Sequence, residues 1–388
     1  MFEIHFVLAR VVFGLGDFSR ALRHNRAAED LARRLGDDGR LTQVMGGMLY
    51  LLSSEGLHGE ASEMGERALA LARTLDDLTL QAWTGIGLGR AYFPLAQYRL
   101  GIERTRWVVA MDFQGPPGLP AMLLPSVGSR TWLALCLARL GEYGKAVSAA
   151  EDAVGAAERA DNAQARVWAY YTLANIHLTR GESAPAFALL DRALALCGHG
   201  EEPLYYSRVL GALGAAHALE GRADQAVDLL EHAAAESRAI RLRYGYASLL
   251  TSLGDACLGA GHFDEASRLA AEAVSLTRER GERGDEGWAL HLTAEIAARR
   301  GPPEVAAATA AYREALALAE ALEMRPLAAR CHLGLGALLG NAGEVPEARA
   351  GLARASELFA ALGSARWHRE AEELSAKFAR DSLCRPSR

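Results

Sequence analysis

One short turn recurs along this chain at a nearly fixed interval, and no other feature limits the fold as tightly. "GDFSRA" begins at Gly16, "GEYGKA" at Gly141, "GRADQA" at Gly221, "GHFDEA" at Gly261 and "GEVPEA" at Gly343. With Gly56, Ala96, Gly181 and Gly301 in the same place, nine turns follow one another at steps of 40, 40, 45, 40, 40, 40, 40 and 42 residues. Five residues after each turn stands Ala or Gly, from Ala21 and Ala61 to Ala306 and Ala348. Seven residues before each stands another small residue, Leu49 being the one exception among the eighteen slots. A small residue, a turn glycine and a second small residue let two antiparallel helices approach closely, with the glycine supplying the left-handed turn. Phe18, Tyr98, Tyr143 and Phe263, two places after their turns, fill the gap between neighbouring pairs.

The spacing of 12 from small residue to Ala is that of the tetratricopeptide repeat, lengthened here to about 40 residues. The sequence therefore predicts an all-α, right-handed solenoid of about nine helical hairpins over residues 1–362, a capping helix over 363–380 and a flexible tail over 381–388. A chain of 388 residues with one globular core would be expected to split into domains, and a repeat array escapes that limit by growing in one dimension. Half of the residues are apolar and the helix formers Ala, Leu, Glu and Arg dominate. Glu3, His5 and Arg10 interrupt the apolar N-terminal stretch, which is neither a signal peptide nor an anchor, and no apolar run is long enough to span a membrane. The first hairpin has only Met1 and Phe2 ahead of it, so its outer apolar side is expected to face water. That points to a natural chain that continues upstream, with an internal start codon as the alternative.

One segment departs from the period. "MDFQGPPGLPAMLLPSVGS", Met111 to Ser129, absorbs the five extra residues of the 45-residue step, and its prolines predict a rigid loop. Met122, Leu123 and Leu124 either tuck under neighbouring helices or present a contact surface.

Catalytic and metal signatures are wanting. Gly144-Lys145 is followed by Ala146, so it is not a phosphate-binding loop. The glycines of "GIGLG" and "GLGALLG" lie inside helices, where packing explains them. His177, His217 and Cys257 occupy one slot in consecutive repeats and cannot converge on a metal. His232/Glu236 and His368/Glu372 read as ion pairs on helix surfaces. Five cysteines with no CxxC pair suggest a reducing cytoplasm, and no cofactor is expected. A formal charge of −6 spread evenly along the chain marks no face for nucleic acid.

Binding is the chemistry the pattern supports. Thirteen residues before the turn, a slot facing the inner groove of such arrays, stand Trp83, Trp168, Arg208, Trp288 and Arg330. Further inward slots hold Arg90, Arg130, Tyr171, Asn175, Thr251, Asp255, His291 and Glu295. Aromatic rings beside Arg and Asp suit a groove for a peptide or small ligand. The competing reading is that these rings only pack between repeats.

From Gly118 onward the chain resembles the C-terminal tetratricopeptide region of bacterial signalling proteins in which an adenylate/guanylate cyclase or other effector and an AAA-type ATPase precede the repeats. "SRTWLALCLARLGEYGKAVSAAEDAV", the Pro-Pro-Glu step at Pro302, the Met-Arg-Pro-Leu step at Met324 and "ARW" at Ala365 carry the likeness. A more distant likeness is to the repeat region of ATP-dependent transcriptional activators that sense small molecules. The resemblance implies a non-catalytic scaffold or regulatory arm that binds a protein or peptide in its concave groove, an upstream ATPase or cyclase module being one such partner. The alternative it implies is a small-molecule sensor gating an ATPase, cyclase or transcriptional effector.

Overall fold

A computed structural model describes residues 1–111, 124–160, 162–198, 203–301 and 304–383. Nineteen α-helices and no strand occur among them. The first six hairpins pair α1 (Phe2–Gly14) with α2 (Phe18–Leu35), α3 (Asp38–Ser54) with α4 (His58–Thr74), α5 (Leu78–Tyr92) with α6 (Tyr98–Ala110), α7 (Pro125–Arg139) with α8 (Tyr143–Arg159), α9 (Ala163–Arg180) with α10 (Ser183–Cys197), and α11 (Pro203–Leu219) with α12 (Ala223–Ala239). Three more pair α13 (Tyr246–Gly259) with α14 (Phe263–Arg280), α15 (Arg283–Arg299) with α16 (Val305–Ala321), and α17 (Arg325–Ala342) with α18 (Val345–Leu362). The last helix, α19 (Ala365–Leu383), packs on α18. The all-α solenoid read from the period is the observed fold.

Local chemistry sets the ends of the elements. Asp17, Asp37, Asp77 and Asn162 each accept a hydrogen bond from a backbone N–H three residues on, at 2.9–3.0 Å, and so satisfy an otherwise unpaired donor. Seven of the nine recurrent turns have glycine at positive φ, and Ala96 adopts the same conformation at φ 57° without that freedom. Gly301 does not. The two extra residues of the final step enter here, after Gly301, so Ala308, fully buried, takes the packing slot expected of Ala306, which is exposed.

The small residues work as the spacing requires. A methyl on Gly89 would lie 2.6 Å from Thr105, one on Gly214 2.5 Å from Leu230 and one on Gly336 2.8 Å from Leu352. Leu49, the large exception, is accommodated by Gly65 and Gly87 on the helices facing it. Phe18, Tyr98 and Tyr143 are buried behind their turns. Each fully buried leucine of this spine, such as Leu190 or Leu230, contributes ~2 kcal/mol by leaving water. Of the proline segment, residues 112–123, including Met122 and Leu123, lie outside the described residues; Leu124 is buried and Pro125 opens α7. On α1, Ile4, Val7 and Val11 are each more than half exposed.

The superhelix winds until its turns meet. His58 pairs with Glu282, Arg99 with Glu323, and Tyr98 with Met324, at separations of 224, 224 and 226 residues. Gly16 packs on Ile240, Gly56 on Arg280 and Gly141 on Leu362. At 40 residues per hairpin, that separation is between five and six hairpins, so the recurrent turns of one superhelical turn seat on the inter-hairpin turns of the next. Arg325 clamps the seam by donating to the carbonyls of Leu140 at 3.0 Å and Gly141 at 2.9 Å.

Candidate binding channel

Closure of the seam converts the concave face into a channel holding a cavity of about 620 Å³. One wall comes from Trp132 on α7, Trp168 and Tyr171 on α9, and Arg208 on α11. The other comes from α13, α15, α17 and α19, with Tyr244 in the loop ahead of α13. Residues three and four apart on each helix reach the same space, which is why the inward slots recur at helical spacing.

At the first pole aromatic rings and guanidiniums interleave. Trp168 stacks on Tyr171 at 5.4 Å, tilts against Trp132 at 5.4 Å and donates its indole N–H to Thr131 Oγ1 at 2.9 Å. Arg208 lies over Trp168 at 5.6 Å and over Tyr244 at 5.2 Å. Arg90 lies over the same Tyr244 ring at 4.2 Å and donates to Ser54 Oγ at 2.8 Å. Burial brings the Arg90 guanidinium down to about 10, with the nearby charge of Arg208 acting in the same direction.

The second pole is polar and buried. Glu295 accepts from Tyr312 OH at 2.6 Å and Arg299 Nη2 at 2.6 Å, with His291 Nε2 3.7 Å away. Burial pushes the Glu295 carboxyl up, but the neighbouring positive charges and the Tyr312 hydroxyl outweigh it and hold the group at about 2. His291, sealed between Trp288 and Tyr312, is brought down to about 4 by desolvation. Arg330 stacks over Trp367 at 4.0 Å. Asp255 touches water inside the channel, yet the protein packed around it raises its carboxyl, an effect that Arg330 opposes.

Nine of the thirteen residues singled out from the sequence line the channel: Trp168, Tyr171, Asn175, Arg208, Thr251, Asp255, Trp288, His291 and Arg330. Two of these spend their polar groups locally, Asn175 on the carbonyl of Tyr171 and Thr251 on that of Ala247. The other four lie elsewhere. Trp83 packs beside Leu124 and Val127 and borders a separate cavity of about 100 Å³. Arg90 is sealed behind Tyr244, Arg130 donates to the carbonyl of Ser126, and Glu295 sits beneath the channel surface. Trp132, Tyr244 and the Arg139–Asp285 pair line the channel without having been singled out. Trp367 on α19 lines it as well. The aromatic-rich "RYGY" before α13 was the available signal for Tyr244.

The histidines of the repeated slot and of the two helix-surface pairs have partners within the fold. His177 pairs with Glu182 at 2.6 Å, and His217 packs edge-on to Phe187. His232 meets Glu236 at 3.5 Å and His368 meets Glu372 at 3.4 Å. No helix among the described residues is long and apolar enough to cross a membrane.

A tetratricopeptide repeat model matches residues 129–198, which cover α7 to α10. No curated protein matches the chain. Solved structures of similar fold include a Rap protein complexed with competence and sporulation factor, at TM-score 0.56 and 14% identity over 87% of this chain and 99% of that one. NprR in complex with its cognate peptide NprX matches at TM-score 0.53 and 12% identity over 85% and 98%. The apo form of the quorum sensor NprR from B. thuringiensis matches at TM-score 0.52 and 12% identity over 92% and 98%. At these identities the likeness is one of fold. The chain therefore contains a tetratricopeptide-type repeat region within an all-α solenoid.

Proposed function

We propose that the chain is a non-catalytic binding arm that takes a short extended protein segment into its channel, as the regulatory or scaffolding part of a bacterial signalling assembly. The observation that carries this reading is the cavity of about 620 Å³ between two superhelical turns, lined by aromatic rings and arginines. Because both turns wall the cavity, the bound segment is a chain end or a free peptide and not a strand within a folded partner. Rings supply apolar area at low entropic cost, and guanidiniums supply charge-assisted hydrogen bonds. The peptide complex of NprR has a similar fold and lends the reading support. An ATPase or cyclase module, joined or bound to the repeats, is the proposed recipient of the signal.

Selection of random octapeptides on the wild-type protein tests this. Enriched peptides should lose binding when Trp168 and Arg208 are both replaced by alanine; retention of affinity within twofold by the double variant overturns the assignment. The cavity volume also suits a metabolite, since small-ligand sites span about 300–1,000 Å³. A small-molecule sensor is thus the second reading, favoured if metabolites raise the melting temperature and no peptide is enriched.

A further inference from the structure

The channel wall carries a positive charge that no described residue balances. Most guanidiniums around the cavity are answered: Arg139 by Asp285 at 2.6 Å, Arg299 by Glu295 at 2.6 Å, and Arg366 by the Leu219 carbonyl at 2.5 Å. Arg330 feels both Asp255 and Glu295. Arg208 differs: it lines the cavity over Trp168 and Tyr244 and makes no ion pair or hydrogen bond among the described residues. On the same Tyr244 ring lies Arg90, 1% exposed, whose Nε has no hydrogen-bond partner among the described residues. Asp285, whose charge reaches Tyr244, is held by Arg139. Two cations therefore share one aromatic ring, one sealed and one open to the cavity, with no carboxylate of the described residues in contact with either. Cations gathered in a desolvated place without a counter-charge are costly unless a partner arrives.

We propose that Arg208 docks a carboxylate of the channel's ligand, with Arg90 behind Tyr244 adding a second, longer-range attraction. The inference rests on the channel being a ligand site and names the class of ligand: an acidic peptide, read at a side chain or at its C-terminus. The flat fork of a guanidinium matches the two oxygens of a carboxylate, and the rings of Trp168 and Tyr244 keep the fork in plane. Binding at Arg208 would also relieve its repulsion with Arg90, so an acidic ligand should tighten the contact of Tyr244 with α5.

The test uses two pools of N-acetylated hexapeptides that differ only in carrying glutamate with a free C-terminus or glutamine with an amidated one. Succinate and inorganic phosphate serve as simple anions, and binding is read by tryptophan fluorescence and melting temperature. The acidic pool should bind roughly 10- to 100-fold more tightly than the neutral pool. The difference should shrink between about 0.05 and 0.5 M salt. It should vanish in Arg208→Gln and partly return in Arg208→Lys, whose melting temperatures without ligand report whether the fold is kept. Equal binding of both pools overturns the carboxylate assignment while leaving the channel reading intact. Stabilisation by succinate that depends on Arg208, with neither pool bound, keeps the assignment and removes the peptide. Stabilisation by phosphate alone, or by none of the four probes, overturns it.

Discussion

His58 Nε2 and Glu282 Oε1, 224 residues apart in the chain, meet at 3.0 Å with both side chains sealed from water. This bond joins one superhelical turn to the next. The His58 ring also stands edge-on to Tyr244 at 5.6 Å, the ring that carries Arg90 and Arg208. The latch that closes the solenoid and the wall of the channel thus share one aromatic side chain. On the proposed reading of the channel, its occupancy and the closure of the seam are expected to couple through packing at Tyr244.

Removal of the latch should open the seam. His58→Ala leaves Glu282 buried without its partner, a defect that costs about 3–5 kcal/mol. Glu282→Gln keeps a hydrogen-bonding side chain and should cost about 1 kcal/mol. Urea denaturation measures both. Exchange of the Arg243 amide hydrogen, which donates to Ser54 across the seam at 3.2 Å, should accelerate in His58→Ala more than amides inside α12. Uniform acceleration across the chain would show that the pair serves general stability and not the seam.

Two turn glycines separate the cost of a turn from the cost of the seam. Gly221 has φ 73° with nothing near its missing side chain, so Gly221→Ala should cost about 0.5–1 kcal/mol, the left-handed penalty less the chain entropy that glycine gives up. Gly141 has φ 76°, and a methyl there would run into Leu362 and close on Pro326 at 3.2 Å. Gly141→Ala should add about 1–3 kcal/mol of overpacking to the same backbone cost. Equal losses in the two variants would mean that the seam yields without resistance.

What the sequence revealed followed from how local each cause is. A left-handed turn asks for glycine and a close helix pair asks for small residues, so hairpins could be read from nine short stretches. Turns between hairpins also recur, with Gly36, Gly281 and Gly363 at positive φ in three of them, but Asp76, Arg241 and Glu323 hold that conformation in three others, side chains that advertise no such backbone. Register failed by two residues after Gly301, where the 42-residue step puts Ala308 and not Ala306 in the packing slot. Seam contacts such as His58–Glu282 leave no pattern, since each partner is ordinary in its own helix. The inward slot found Trp168, Arg208, Trp288 and Arg330 because helical phase fixes direction. It misplaced Trp83, which packs against the start of α7, and passed over Tyr244, which a loop delivers.

Arg241 offers a gain in stability. It holds φ 54° at an exposed position between α12 and α13. A left-handed side-chain-bearing residue costs about 1–2 kcal/mol, and glycine loses roughly 0.5–1 kcal/mol in extra chain entropy. Arg241→Gly should therefore raise stability by about 0.5–1 kcal/mol, measured by urea denaturation. A loss would mean that the Arg241 side chain contributes more than its backbone costs.

Acid should weaken the second pole of the channel in two steps. His291 resists protonation when folded, being brought from 6.5 to about 4 by burial, so the unfolded chain binds its proton first. Its contribution is present above pH 6.5 and is lost as pH falls towards 4, about 3 kcal/mol in all. Glu295, held from 4.5 down to about 2, adds a second loss of the same sign at lower pH. Glu282 runs the other way, because burial raises its carboxyl and its contribution is lost as pH climbs above 4.5. The comparison must therefore be made between wild type and a variant. Urea midpoints measured from pH 7 to pH 4 should fall less in His291→Phe than in wild type, and Glu282→Gln should leave that difference unchanged. Parallel slopes in wild type and His291→Phe would show that the imidazole takes up its proton without opening the pole.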